Sequence, residues 1–371
     1  MYLHSSGSTG LPKAIPIPHA TLLDRAHFGC TNGMFTGVVA AFTLPPFGVA
    51  GVACQILAPL FAGHPSAVFP PALNPSSPIT LTADNVMVYM RRNKLTSMIV
   101  FPAFLHKWAK DEAAVKYLCS LDNIGYAGGP LLPSIGQTLV EQGVNIKAIY
   151  ASTEIGGASL YDGIAAKEDW EYFEWNPLLK LRLFAKGDGS YEAHVLSTDQ
   201  QHLPIIDTPD KLGFDLPDLF EKHPTKEGLW RILGRKDDVF IDATGVNVVP
   251  GPMEAVVNSN PHVATAVMFG QHRMQSGILI QLNESGLADD VDETILRDHI
   301  WQSIEEGNRI VQNYARINKS MILFTTLSKP LPLKVKGLVR RKDALKLYEH
   351  EIDTLYSNAE KAGGRYEIAA L

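Results

Sequence analysis

The chain has 371 residues, 46% of them hydrophobic and 19% charged, and a net charge of −6. That length suffices for one large domain and a smaller one. An acidic balance without a basic run excludes an electrostatic nucleic-acid footprint. Apolar runs broken by proline and glycine exclude a membrane-spanning helix. Cys30, Cys54 and Cys119 are far apart, with no metal-ligand spacing, and read as buried thiols of a reducing compartment. The first residues lack the charged and apolar regions of a secretory signal. A cytoplasmic protein is expected.

In chain order, the first informative stretch is His4-Ser5-Ser6-Gly7-Ser8-Thr9-Gly10-Leu11-Pro12-Lys13. Its glycines let backbone amides approach a ligand closely. Successive N–H groups form a concave anion nest, and Lys13 adds a point charge. The set suits a triphosphate. A P-loop is excluded, because Leu11-Pro12 separates Gly10 from Lys13 and Ala14 stands where a magnesium-binding hydroxyl is needed. The plain alternative is a Gly/Ser loop without a ligand.

A helix is expected over 20–29, with His19 at its entry, and a buried strand over 38–44. Pro45-Pro46-Phe47-Gly48-Val49-Ala50-Gly51 follows, then a helical stretch over 52–61 and a short strand over 66–69. Next comes an alternation: helix 83–92, strand 97–101, helix 103–118, strand 123–126, helix 134–142 with Gly143 just past its end, and strand 145–150. Such alternation argues for βαβ units and a mostly parallel sheet, with ligands beyond the carboxyl ends of its strands. Those ends are Gly128-Gly129-Pro130 and Ala151-Ser152-Thr153-Glu154. From about residue 192 the pattern turns to short β segments. Beyond 235–238 an α+β pattern begins: helix 252–259, strands 265–269 and 278–282, helix 291–311, strand 320–324 and terminal helix 342–360. The expected class is α/β, a large domain over 1–236 with a mostly parallel sheet plus β segments, followed by a small α+β domain over 237–371.

A carboxylate at a strand end beside a phosphate nest suits Mg²⁺, a hard cation that takes oxygen ligands. Glu154 is therefore the metal candidate, and a solvated loop glutamate is the alternative. The ordered set of motifs resembles the adenylate-forming superfamily of acyl-CoA synthetases, luciferases and peptide-synthetase adenylation domains. Residues 5–13 resemble its phosphate loop, and Tyr150-Ala151-Ser152-Thr153-Glu154 its Y-x-x-T-E pattern. The resemblance implies that Tyr150 stacks near adenine, Thr153 touches the α-phosphate and Glu154 binds the metal. Gly128-Gly129 resembles the loop lining the adenine and acyl pocket. Asp218 in Leu216-Pro217-Asp218-Leu219 partly matches the T-G-D-L position that holds the ribose, and a surface-turn aspartate after Pro217 is the alternative. Gly234-Arg235-Lys236-Asp237-Asp238 matches G-R-x-D-D, which implies a ribose contact for Arg235 and a hinge at Asp237. Gly245 resembles a glycine lining a pantetheine channel. Lys336-Gly337-Leu338-Val339-Arg340-Arg341-Lys342 resembles the variant of fungal peptide-synthetase-like enzymes and carboxylic acid reductases, in which Lys336, with Lys334 second, is the catalytic lysine.

The resemblance implies ATP and Mg²⁺, a small carboxylic acid substrate, and phosphopantetheine, on CoA or on a carrier domain in trans, as acyl acceptor. Members carry a substantial segment ahead of the phosphate loop, so an N-terminally truncated adenylation domain is expected. The alternatives are a non-catalytic nucleotide-binding or interaction protein that keeps the fold, and an unrelated doubly wound α/β enzyme. Activators of α-amino acids place an aspartate in the acyl pocket, where a buried ammonium needs a partner. The segment 45–51 has no acid. An apolar acid without an α-amino group is expected (aryl, α-keto or medium fatty), unless Gly48 merely turns the chain.

Overall fold

The computed structural model describes residues 1–6, 12–31, 37–46, 48–69, 82–161, 165–284, 286, 293–333 and 338–361. The chain divides into two compact units, Met1–Ile232 and Leu233–Leu371.

The first unit is α/β. Strands Ser66–Ala67, Val39–Ala40, Ser97–Val100, Asn123–Tyr126 and Ile146–Ala148 form, in that spatial order, a five-stranded parallel sheet. Its central strands read as unbroken apolar runs because both faces are covered. Met98, Val100, Ile124 and Ile146 pack on one side with Val86, Met90, Leu105, Leu118 and Leu139. Ile99 and Val39 pack on the other with Cys54 and Ala58. Helix Ala83–Arg92 shows local and tertiary signals agreeing. The Thr82 hydroxyl accepts from Asn85 N, Asp84 lies in the first turn, Arg91 and Arg92 lie in the last, and Val86, Met87 and Met90 are buried.

A second sheet of six strands holds Phe173–Glu174, Leu229–Arg235, Asp218–Lys222, Tyr191–Leu196 and Leu181–Ala185, with Gly213–Asp215 paired to Tyr191–Leu196. An antiparallel hairpin, Tyr2–Ser6 with Pro12–Pro16, opens the chain. Leu3 and Ile15 are cross-strand partners on its inner face and pack with Ile17 and Val52.

In the second unit, strands Val263–Phe269, Ser276–Leu282 and Ile317–Phe324 form a three-stranded sheet, antiparallel then parallel. Its core includes Val257 of helix Gly251–Asn258 and Leu296, Ile300 and Ile304 of helix Glu293–Ile310.

Three expected elements differ. The helix over 103–118 is two, Pro102–Trp108 and Glu112–Leu118. The Asp111 carboxylate caps the second by accepting from Ala113 N and Ala114 N at 2.9 and 3.3 Å, which competes with continuing the first. The strand over 38–44 is only Val39–Ala40, because the chain turns after Ala41, where Leu44 N bonds back to its carbonyl. The terminal helix is two, Arg341–Leu347 and Glu349–Lys361, broken at the buried Tyr348, whose hydroxyl donates to the Lys329 carbonyl.

Candidate active site

The arms of the opening hairpin carry the expected phosphate loop. Ser5 pairs with Lys13 and Ser6 with Pro12 at its tip. Gly7, Ser8, Thr9 and Gly10 lie outside the described residues, as do Phe47, Lys334 and Lys336. Helix His19–Thr31 follows the hairpin. The Thr21 hydroxyl donates to the His202 carbonyl at 2.9 Å, and Asp24 Oδ2 accepts from His202 N at 2.6 Å. The next residue, Arg25, crosses to the end of the parallel sheet, where its Nη2 donates to the Thr153 carbonyl at 2.8 Å.

Beyond strand Ile146–Ala148 the chain enters a tight hairpin, Ala151–Ser152 with Gly156–Gly157, and Thr153 and Glu154 sit at its turn. Ser152 Oγ accepts from Ile155 N at 3.4 Å. Gly156 has φ +79°, and a Cβ there would stand 3.1 Å from Arg25 Cγ and 3.2 Å from its Nε. Glycine thus meets both the left-handed backbone and the space taken by the arginine. Burial pulls the Arg25 guanidinium down to about 10, and the Glu154 charge opposes that fall.

Tyr150 precedes this hairpin and is 4% exposed. Its ring is stacked at 5.7 Å on Phe173 and meets Trp175 and Phe220 edge-on at 5.6 and 5.1 Å. Its hydroxyl donates to Asp218 Oδ2 at 2.7 Å. Asp218 is the first residue of a strand, not a surface turn. The structure thus joins two sequence-predicted residues 68 positions apart. Gly128, at φ +83°, lies where a Cβ would stand 2.9 Å from the Phe101 ring, whereas a Cβ on Gly129 would meet open space.

The 45–51 segment is a turn into helix Val49–Val52, with Gly48 at the N-cap and its N–H donating to the Pro45 carbonyl at 3.0 Å. A π-helical stretch, Ala53–Leu57, continues it. There Gln55 Nε2 donates to the Leu44 and Ala41 carbonyls at 2.8 and 3.1 Å, which fixes the entry to the segment. No pattern in the sequence marks Gln55 or Arg25, because their partners are set by tertiary packing.

In the second unit, Arg235 Nε donates to Asp237 Oδ1 at 2.9 Å, and Asp237 lies in the single 3₁₀ turn Lys236–Asp238. Asp238 pairs with Arg341 Nε at 3.2 Å. Arg341 Nη2 also meets both Glu254 oxygens, at 2.5 and 2.6 Å, and its Nη1 donates to the Met268 carbonyl at 2.8 Å. Burial opposes the Arg341 charge, but Glu254 and Asp238 outweigh it and hold the guanidinium above its ordinary value. Gly245, at φ +86°, sits in a turn whose Asp242 Oδ1 accepts from Thr244 N, Thr244 Oγ1 and Val246 N at 2.8, 2.7 and 2.9 Å.

Two family models match the chain: the AMP-binding enzyme over residues 1–175 and the AMP-binding enzyme C-terminal domain over 237–360. The chain belongs to the AMP-binding, adenylate-forming enzyme family. Adenylate-forming reductase Nps11 of Serpula lacrymans is 36% identical over 97% of this chain and 34% of that protein. The carboxylic acid reductase of Neurospora crassa is 27% identical over 100% of this chain and 36% of its own length. The chain therefore spans about a third of the length of the curated relatives it matches. Among solved structures, ATP-bound MatB of Rhodopseudomonas palustris superposes with a TM-score of 0.71 at 18% identity, over 95% of this chain and 68% of that one. The adenylation domain of a Mycobacterium chelonae carboxylate reductase gives 0.66 at 16%, over 96% and 60%. Among the described residues no helix is long and apolar enough to cross a membrane.

Proposed function

We propose that this domain activates a carboxylic acid as its acyl-adenylate, at a site carried by Ser5–Lys13, Gly128-Gly129, Tyr150–Glu154 and Asp218. The observation that carries the reading is the Tyr150 hydroxyl on Asp218. It brings the residue expected near adenine and the residue expected on the ribose to one place, although the T-G-D-L match is only partial.

In the reaction, an oxygen of the substrate carboxylate attacks the α-phosphorus of ATP. A new P–O bond forms, the α–β bridge breaks and pyrophosphate leaves. The protein's share is positioning and charge neutralisation. The hairpin amides and Lys13 bind phosphates, Thr153 meets the α-phosphate, and Lys336 steadies the carboxylate. Thr153 and Glu154 supply hydroxyl and carboxylate oxygens, a donor set that fits Mg²⁺, and Glu154 would hold it. When bound, that ion offsets charge on the departing pyrophosphate. Rotation of the C-terminal unit about Asp237 then withdraws Lys336 and admits a phosphopantetheine thiol, of CoA or of a carrier domain, past Gly245. The thiolate sulfur bonds to the acyl carbon, and AMP leaves. Relatives bearing reductase names support activation of an acid.

An apolar acid without an α-amino group fits the acid-free 45–51 segment. ATP–pyrophosphate exchange with a panel of acids tests the reading. Exchange should require Mg²⁺, fall by at least about a hundredfold in Glu154→Gln, and favour a deaminated acid over its α-amino analogue. ATP binding without exchange with any acid would instead identify a non-catalytic nucleotide-binding protein.

A further inference from the structure

Arg25 lies on the helix that follows the phosphate hairpin, and no motif assigns it a role. Its Nη2 holds the Thr153 carbonyl at 2.8 Å. Its Nε and Nη1 are buried and have no hydrogen-bond partner among the described residues. An ionised group with two unmet donors is a costly way to fill space, and an apolar side chain of similar length would stabilise the fold better. The turn is nevertheless built around it, since Gly156 leaves out the Cβ that would crowd the Arg25 stem. The helix itself is tied to His202 by Thr21, one turn before Arg25, and by the adjacent Asp24. The acid whose charge acts on Arg25 is Glu154.

We propose that Arg25 is a positioning residue that fixes the Thr153–Glu154 turn against the helix leaving the phosphate hairpin and supplies a positive charge that acts on the Glu154 carboxylate. It touches neither nucleotide nor metal. The first effect holds the turn in the geometry a metal-bound carboxylate needs. The second orients that carboxylate, as outer partners of metal-binding carboxylates do. The inference rests on the adenylation reading for the role of Glu154.

The test uses the 371-residue chain with Arg25→Met, which keeps the apolar stem, and Arg25→Lys, which keeps the charge. Magnesium titration of ATP binding by calorimetry is one readout, and amide hydrogen exchange over 151–157 is the other. Arg25→Met should raise the half-saturating magnesium concentration about tenfold and speed exchange in the turn, with exchange in the parallel sheet unchanged. Arg25→Lys should recover the magnesium dependence to within about threefold while the turn stays loosened. Unchanged exchange over 151–157 in Arg25→Met overturns the proposal. So does a loosened turn with an unchanged magnesium requirement, since that marks a purely structural side chain. If the unmodified chain binds no ATP at any magnesium concentration, the adenylation reading fails, and the exchange comparison still decides whether Arg25 holds the turn.

Discussion

Arg341 shows how one side chain can gather contacts from separate parts of a unit. Its guanidinium meets Glu254 on helix Gly251–Asn258, Asp238 in the 3₁₀ turn and the Met268 carbonyl on a sheet strand. Arg341 and Glu254 are each only 14% exposed, so removing one partner strands a desolvated charge. Glu254→Gln should destabilise the C-terminal unit by about 3 kcal/mol, the low end for a broken buried pair because Asp238 remains. Glutamine keeps one oxygen that can accept from Met268 N, now 2.6 Å from Glu254 Oε1, but it puts an NH2 donor where Oε2 accepts from Arg341. Denaturant unfolding measures the loss, and a change below about 0.5 kcal/mol would show that water already screens the pair. Arg341 stands five residues after Lys336 in sequence, so the same variant tests whether anchoring this segment matters for adenylation.

At the scale of an element, the Asp242–Val246 turn presents Gly245 in a left-handed conformation that few other residues adopt without strain. Burial pushes the Asp242 carboxyl up, but the Thr244 hydroxyl and the N–H groups of Val246, Thr244 and Gly245 outweigh it and leave it below the usual carboxylate value. A depressed value means the native state holds the proton less tightly than the unfolded chain. The stabilisation is therefore fully present above about pH 4, the unfolded value, and is lost as pH falls through the lower native value. Asp242→Asn should cost about 1–3 kcal/mol at neutral pH, and the gap from the unmodified chain should narrow as pH falls below about 4. Denaturant midpoints across that range give the comparison. A gap independent of pH would mean that the carboxylate charge does not hold the turn.

For the whole molecule, the proposed cycle needs two conformations related by rotation about Asp237. Proline there fixes φ near −65° and removes an N–H donor. Asp237→Pro should leave pyrophosphate exchange within about threefold and lower transfer to a pantetheine thiol by about a hundredfold or more. Separate assays of the two half-reactions make the comparison. A parallel fall in both would remove Asp237 as the hinge. The variant also breaks the Arg235–Asp237 bond, so Asp237→Ala, which removes the acceptor and keeps backbone freedom, serves as the control.

The sequence by itself determined the α/β class, the alternation of strands and helices through the parallel sheet, and the order of the nucleotide motifs. Those signals are local: hydrophobic period, Gly143 just past a helix end and glycines at strand ends can be read within a few residues. It did not reveal the break at Asp111, where one side chain caps a new helix inside an unbroken amphipathic pattern. Nor did it mark Arg25, whose partner lies 128 residues away on another element. Asp218 had only a partial match and a plausible reading as a surface turn, until folding set it under the Tyr150 hydroxyl. Only tertiary structure decides such residues, because a buried donor or acceptor takes whatever partner the packing brings within about 3 Å, and no local pattern records which one that is.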